Sequence, residues 1–223
     1  MTSGLFLKID FLIVNLDLYF NMNQDYIETI EDEIDFENIT DDTNGLDLYL
    51  DYYDGNFPDN LKFLSICGEV NLNKLPNSLT ELYLTYLRKN PNYRYQDLKN
   101  LERLCNLKKL VLHDISLEKI ILPNSLKSLS LEYSSIEFYS SKDLENLPTN
   151  LENLVLKIKD DNIQIPKLNH LNYLKKIEII LKYSNKITLE NLCQLIPLTL
   201  ESMNNDNESD EIIFCFENIH FSS

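Results

Sequence analysis

Tryptophan is absent from the 223 residues, and glycine occurs only 4 times. So little glycine argues against glycine-rich phosphate loops and against many tight hairpins. The 4 cysteines, Cys67, Cys105, Cys193 and Cys215, are scattered and never form a CxxC pair, so the spacing of a zinc site is missing. This usage fits a reducing compartment. Cys105 and Cys193 each follow a leucine in helix-like stretches and read as buried small hydrophobes. Bases are outnumbered, 20 Lys and Arg against 36 Asp and Glu, for a net charge of −16. Such a balance argues against nucleic acid, whose phosphates reward a basic surface, and against an anionic membrane. It suits a basic segment of a protein partner, and it also serves solubility. No apolar run has the length of a membrane-spanning helix. The N-terminal stretch MTSGLFLKIDFLIVNLDLYF is broken by Lys8, Asp10 and Asp17, with no small-residue cleavage site after it. It does not read as a signal peptide, and the expectation is a soluble, intracellular, cytoplasmic protein.

Against these absences stands one ten-residue phrase present three times. Residues 75–84 read LPNSLTELYL, 122–131 LPNSLKSLSL and 147–156 LPTNLENLVL, all L-P-x-x-L-x-x-L-x-L. The shorter core L-x-x-L-x-L extends the series. It fits first at Ile13, Leu16 and Leu18, more weakly at Thr43, Leu46 and Leu48, and then at leucines or isoleucines starting from 61, 79, 107, 126, 151 and 174. A further loose match starts at Leu195. The six central copies are 18, 28, 19, 25 and 23 residues apart, a spacing of repeat architectures.

The x-L-x-L-x part is a short strand whose leucines point one way and whose intervening residues point the other. One such strand cannot bury its leucines alone. Stacked in parallel, the strands share a continuous core, and the chain returns on the outer side after each. Helical periodicity marks four returns, at residues 23–39, 95–104, 141–147 and 188–196. The units of 18 and 19 residues are too short for a helix and predict extended or 3₁₀ returns. Pro76, Pro123 and Pro148 precede strands, where they fix φ and stop any helix from running on. Residues 201–211, ESMNNDNESDE, read as a polar loop, and 212–216, IIFCF, as a last strand or a terminal cap. The expected organisation is therefore a repeat domain over 1–200, with eight or nine irregular units, followed by an acidic loop and a strand or cap over 201–223.

On these phrases the chain resembles the leucine-rich repeat superfamily. It looks most like the branch whose repeats open with L-P-x-x-L, seen in bacterial secreted effectors and in amoebal and giant-virus repeat proteins. In its irregularity it is similar to the F-box-associated and FNIP-like repeat regions. The resemblance implies an α/β horseshoe solenoid, with a parallel sheet on the concave side and irregular helical, 3₁₀ or extended returns on the convex side. It also implies protein recognition, in the manner of a substrate-recognition or adaptor subunit of a ubiquitin ligase. The family's internal asparagine position is not kept: Glu69, Leu87, Ile115, Ser134 and Lys159 stand there. No F-box is seen at the N-terminus and no ligase domain follows the repeats.

Family geometry puts the x residues of each strand on the concave face. The early strands then offer acids beside aromatics: Asp17, Tyr19, Asp47, Tyr49, Phe63, Glu81 and Tyr83, followed by Lys109 and His113. Tyrosines supply contact area at low entropic cost and carboxylates supply steering, so this half of the face is the candidate site for a basic or amphipathic protein segment. The competing reading is that these are ordinary solvated strand residues.

Catalysis finds no support in the sequence. Cys67 and His113 fall two strands apart, about 9–10 Å at strand spacing, too far for a nucleophile and its base. The acidic pairs at 41–42 and 160–161 lack a calcium-loop layout and read as solvated turns. No metal ligand set or cofactor motif emerges. A non-catalytic interaction scaffold is the expected function. The alternative is a structural repeat protein, or a fragment of a longer one, without a partner of its own. An N-terminal strand at Ile13 left uncapped would favour that alternative and oligomerisation through the open end.

Overall fold

The computed structural model describes residues 7–10, 27–30, 39–53, 55–85, 100–113, 115, 117, 120–132, 144, 146–158, 168, 170–182 and 211–217. Its strands are β1 (Leu7–Asp10), β2 (Ile27–Ile30), β3 (Gly45–Tyr53), β4 (Phe63–Val70), β5 (Glu81–Thr85), β6 (Lys109–His113), β7 (Ser128–Glu132), β8 (Asn153–Ile158), β9 (Lys176–Lys182) and β10 (Glu211–Glu217). The chain divides into two compact units, one of Asp17–Leu126 and one of Met1–Leu16 with Lys127–Ser223.

In the first unit β2 to β6 pair in chain order, every pair parallel. Equivalent leucines stand in register: Leu46 against Leu64, Leu64 against Leu82, and Leu82 against Leu110. All four are fully buried. In the second unit Leu129 stands against Leu154 and Leu154 against Ile177, again fully buried. Each such side chain contributes roughly 1.5–3 kcal/mol when buried. The leucine seam expected from the phrase is therefore present in both units, and each is a parallel, solenoid-like stack.

One hydrogen-bond device repeats at the start of β4, β5, β6, β8 and β9. A single carbonyl accepts the next two amides one turn on. Asn44 O takes Lys62 N and Phe63 N, Lys62 O takes Thr80 N and Glu81 N, and Thr80 O takes Lys108 N and Lys109 N, all at 2.8–3.1 Å. Lys127 O and Glu152 O do the same for residues 152–153 and 175–176. The phrase itself explains the lead-in. In L-P-x-x-L the last leucine donates its N–H to the proline carbonyl, as in Leu79 to Pro76, Leu126 to Pro123 and Leu151 to Pro148. Proline suits this turn because its φ is already fixed. Leu61 N donates to Pro58 O in the same way. Residues 57–66, FPDNLKFLSI, are thus a fourth copy, with Phe57 in the leading leucine's place.

Between turns, small polar side chains lace neighbouring repeats together. Ser78 Oγ donates to Leu61 O at 2.6 Å, and Ser125 Oγ, from the same phrase position, to Leu107 O at 2.8 Å. Arg103 donates to the carbonyls of Leu72 and Leu75, each at 2.6 Å, and to Asn77 Oδ1 at 3.0 Å. The Leu72 carbonyl also accepts the Leu75 amide at 3.3 Å, so Arg103 adds a second donor there and supplies one to the Leu75 carbonyl just past the 3₁₀ turn.

Among the described residues the returns carry little helix. Leu72–Lys74 and Leu101–Arg103 are 3₁₀ turns, as the 18-residue spacing predicts for the first. The helix expected over 95–104 is replaced at its described end by the second turn, entered through Asn100 at φ 83°. The helix expected over 23–39 is also corrected: 27–30 is strand β2, parallel to β3. β-branched Ile27, Thr29 and Ile30 suit the row of unpaired β3 backbone groups, and tertiary pairing overrides the helical period. Cys105 is exposed, not buried. It lies in the tight turn between buried Leu104 and Leu107, and only the leucines face the core. Of the expected helix over 141–147, Leu144 has α-helical backbone. That over 188–196, Cys193, the strand at Ile13 with its open end, and the polar stretch 201–210 lie outside the described residues.

β3 and β4 shift register once, from Tyr49 opposite Cys67 to Tyr52 opposite Glu69. Gly68 faces this bulge at φ 143°, a backbone region that favours glycine. In the second unit β10 joins β9 in parallel, so the apolar run at 212–216 forms a strand. β1 lies parallel to β10 on its other edge, an addition that nothing in the repeat pattern announces. No helix among the described residues is long and apolar enough to cross a membrane.

Candidate functional site

The face opposite the leucines in the first unit is built from three cross-strand rows. The registers put Gly45, Phe63, Glu81 and Lys109 in one row, Asp47, Ser65, Tyr83 and Val111 in the next, and Tyr49, Cys67, Thr85 and His113 in the third. Seven of the nine predicted face residues therefore come together on four neighbouring strands. Asp17 and Tyr19 lie outside the described residues.

The centre of this face is an interlocked group of four side chains. Phe63 and Tyr83 sit diagonally on adjacent strands, within reach of aromatic rings, with centroids 5.2 Å apart and planes tilted by 49°. Lys109, directly opposite Glu81, meets its carboxylate at 3.5 Å and stands 5.1 Å from the Tyr83 ring centroid. The Tyr83 hydroxyl donates to the same Glu81 oxygen at 3.3 Å. Partial burial raises the Tyr83 pKa, with Glu81 adding to the rise and Lys109 opposing it. For Lys109 burial pulls the pKa down, but its contacts with Tyr83 and Glu81 outweigh this and hold it above the ordinary lysine value. Glu81 and Lys109 thus largely neutralise each other.

The remaining predicted residues differ sharply in exposure. Tyr49 is 46% exposed and Asp47 only 5%. The Asp47 Oδ1 is buried with no hydrogen-bond partner among the described residues. His113 is half-buried at the end of the third row, and Thr85 separates it from Cys67. The thiol and imidazole are thus two strand spacings apart. Among the described residues no group of three or more His, Cys, Asp or Glu is arranged to hold a metal. Asp41 and Asp42 are exposed turn residues.

What single-strand reading misses is the pairing between repeats. Glu81 and Lys109 occupy one phrase position, just before a strand leucine, and Glu132 and Lys157 occupy another, just after one. Aligning the copies on their leucines and reading charge down each column is the signal that finds both pairs.

Fold and face together define a class: a parallel, repeat-built stack that presents a mixed aromatic and charged strand face. No protein-family model, curated protein or solved structure matches the chain.

Proposed function

We propose that the chain is a non-catalytic protein-interaction scaffold of the leucine-rich-repeat horseshoe type, binding a partner on the face of β3 to β6. The observation that carries this reading is the Phe63–Tyr83 pair, held beside Lys109 and Glu81 and flanked by the exposed Tyr49. Fixed aromatic anchors with a charged surround are the usual source of binding energy at protein interfaces. The net charge of −16 favours a partner with a basic segment. A role as substrate-recognition or adaptor subunit of a ubiquitin ligase, in the cytoplasm, is the biological setting consistent with the family it resembles.

The test is affinity capture with the wild type and with a Tyr49→Ala, Tyr83→Ala double variant of matched folded content by circular dichroism. Loss of the captured protein from the double variant is the expected result. Undiminished capture would remove the face from consideration, and recovery of a cullin adaptor with the wild type would support the ligase setting.

A further inference from the structure

Two carboxylates stand in the three cross-strand rows, and they are in opposite situations. Glu81 is engaged by Lys109 and by the Tyr83 hydroxyl. Asp47 is 95% withdrawn from solvent, at 5% exposure, yet its Oδ1 has no partner. Its cross-strand neighbours are Thr29 and Ser65, and no ion pair of Asp47 is found among the described residues. A buried carboxylate oxygen without a hydrogen bond is a standing cost to the fold. Two residues along the same strand, hence on the same face, Tyr49 is exposed.

We infer that Asp47 and Tyr49 form a receptor for one arginine side chain of the partner. The inference rests on the interaction reading above and narrows the partner's chemistry. A guanidinium fits both halves of the site. It is a planar donor fork for a carboxylate, it stacks on an aromatic ring, and it is carried on an apolar stem able to reach a sunken acceptor. Ammonium is more strongly hydrated and loses more on entering such a place. The arginine completes the missing hydrogen bonds of Asp47, and its neighbours in the partner lie on Phe63 and Tyr83. The protein's own acidity attracts such a segment.

The experiment uses the full chain and a panel of short peptides with a central arginine flanked by leucine and tyrosine. Each is matched by a peptide with citrulline, which keeps the shape and removes the charge. Fluorescence anisotropy should show arginine peptides binding at least about tenfold more tightly than their citrulline twins, and Asp47→Asn abolishing that difference. The same variant should unfold at a temperature equal to or a few degrees above that of the wild type, because it replaces a buried carboxylate whose Oδ1 has no hydrogen-bond partner. A residue with a merely structural role would instead destabilise the protein when changed. Equal binding of arginine and citrulline peptides overturns the inference, as does a lowered midpoint for Asp47→Asn. If citrulline peptides bind as well and Tyr49→Ala with Tyr83→Ala abolishes both, the face still binds protein and only the arginine receptor falls. If no peptide binds the wild type, the arginine receptor falls, and the face itself stands or falls on the capture experiment above.

Discussion

Each of the two units is built on a leucine-lined interior, and the two differ on the surface. In β3 to β6 the strand face carries Tyr49, Phe63 and Tyr83, and Asp47 keeps an oxygen without a partner. In β7 to β9 the corresponding rows are Ser128, Asn153 and Lys176; Ser130, Val155 and Glu178; and Glu132, Lys157 and Ile180, with no aromatic among them. Charges there close on one another. Lys157 is 5% exposed and meets Glu132 at 2.7 Å. Lys176 meets Glu178 at 3.3 Å, and Glu152 lies 2.8 Å from Lys127 and 2.7 Å from Lys175. The same repeat can therefore use its outward positions in two ways. Ser130 Oγ in the second unit is also buried without a hydrogen-bond partner, but it carries no charge. Pairing charges between neighbours holds repeats in register, whereas aromatics and an unpaired carboxylate leave something for another molecule to do.

Changes in either unit's leucine seam should have the same effect. Leu82→Ala in the first unit and Leu154→Ala in the second should each cost about 2–5 kcal/mol, since both side chains are fully buried. Chemical denaturation would measure this, and a cost below about 1 kcal/mol at either would show that its seam is loosely packed. The surface should separate the units. Glu132→Ala removes the 2.7 Å ion-pair partner of the buried Lys157 ammonium and should cost about 2 kcal/mol or more, and adding Lys157→Leu should recover most of it. Glu81→Ala, whose partner Lys109 has a side chain 39% exposed, should cost less than about 1 kcal/mol. Equal losses at the two sites would dissolve the comparison.

The smallest effect concerns acid. Hydrogen bonds from Lys127 and Lys175 hold the Glu152 carboxyl below its ordinary pKa of 4.5, outweighing a slight burial effect in the other direction. A lowered folded-state pKa means that the unfolded chain takes up the proton first. The contribution is complete above the unfolded value and fades as pH falls through the folded one. Thermal melts of Glu152→Gln against the wild type should differ at neutral pH and converge as the pH drops below about 4.5. A difference that persists unchanged into acid would mean the lysines do not act through charge.

How much of this was legible in the sequence follows from what repeats. The leucines at 79, 82 and 84 and their counterparts recur with one spacing, so their shared burial can be read without coordinates. The proline turn is equally legible, although at Phe57–Pro58 a phenylalanine in the leucine's place hides the fourth copy. The lacing by Ser78, Ser125 and Arg103 reaches one or more turns back along the chain, and spacing alone does not reveal which carbonyl each meets. The isoleucines of strand β2 fit a helical period, and only the open edge of β3 decides for a strand. For the site, the gathering of Tyr49, Phe63 and Tyr83 follows from alternation. The isolation of Asp47 does not, because it depends on which charges the neighbouring repeats consume.

The central claim is that binding belongs to the first unit's strand face. It can be tested most directly by placing a photo-crosslinking benzoylphenylalanine at Tyr49 in one variant and at Val155 in another, and irradiating each with the captured partner. The account predicts an adduct from position 49 and none from position 155; an adduct from 155 alone, or equal adducts from both, would contradict it.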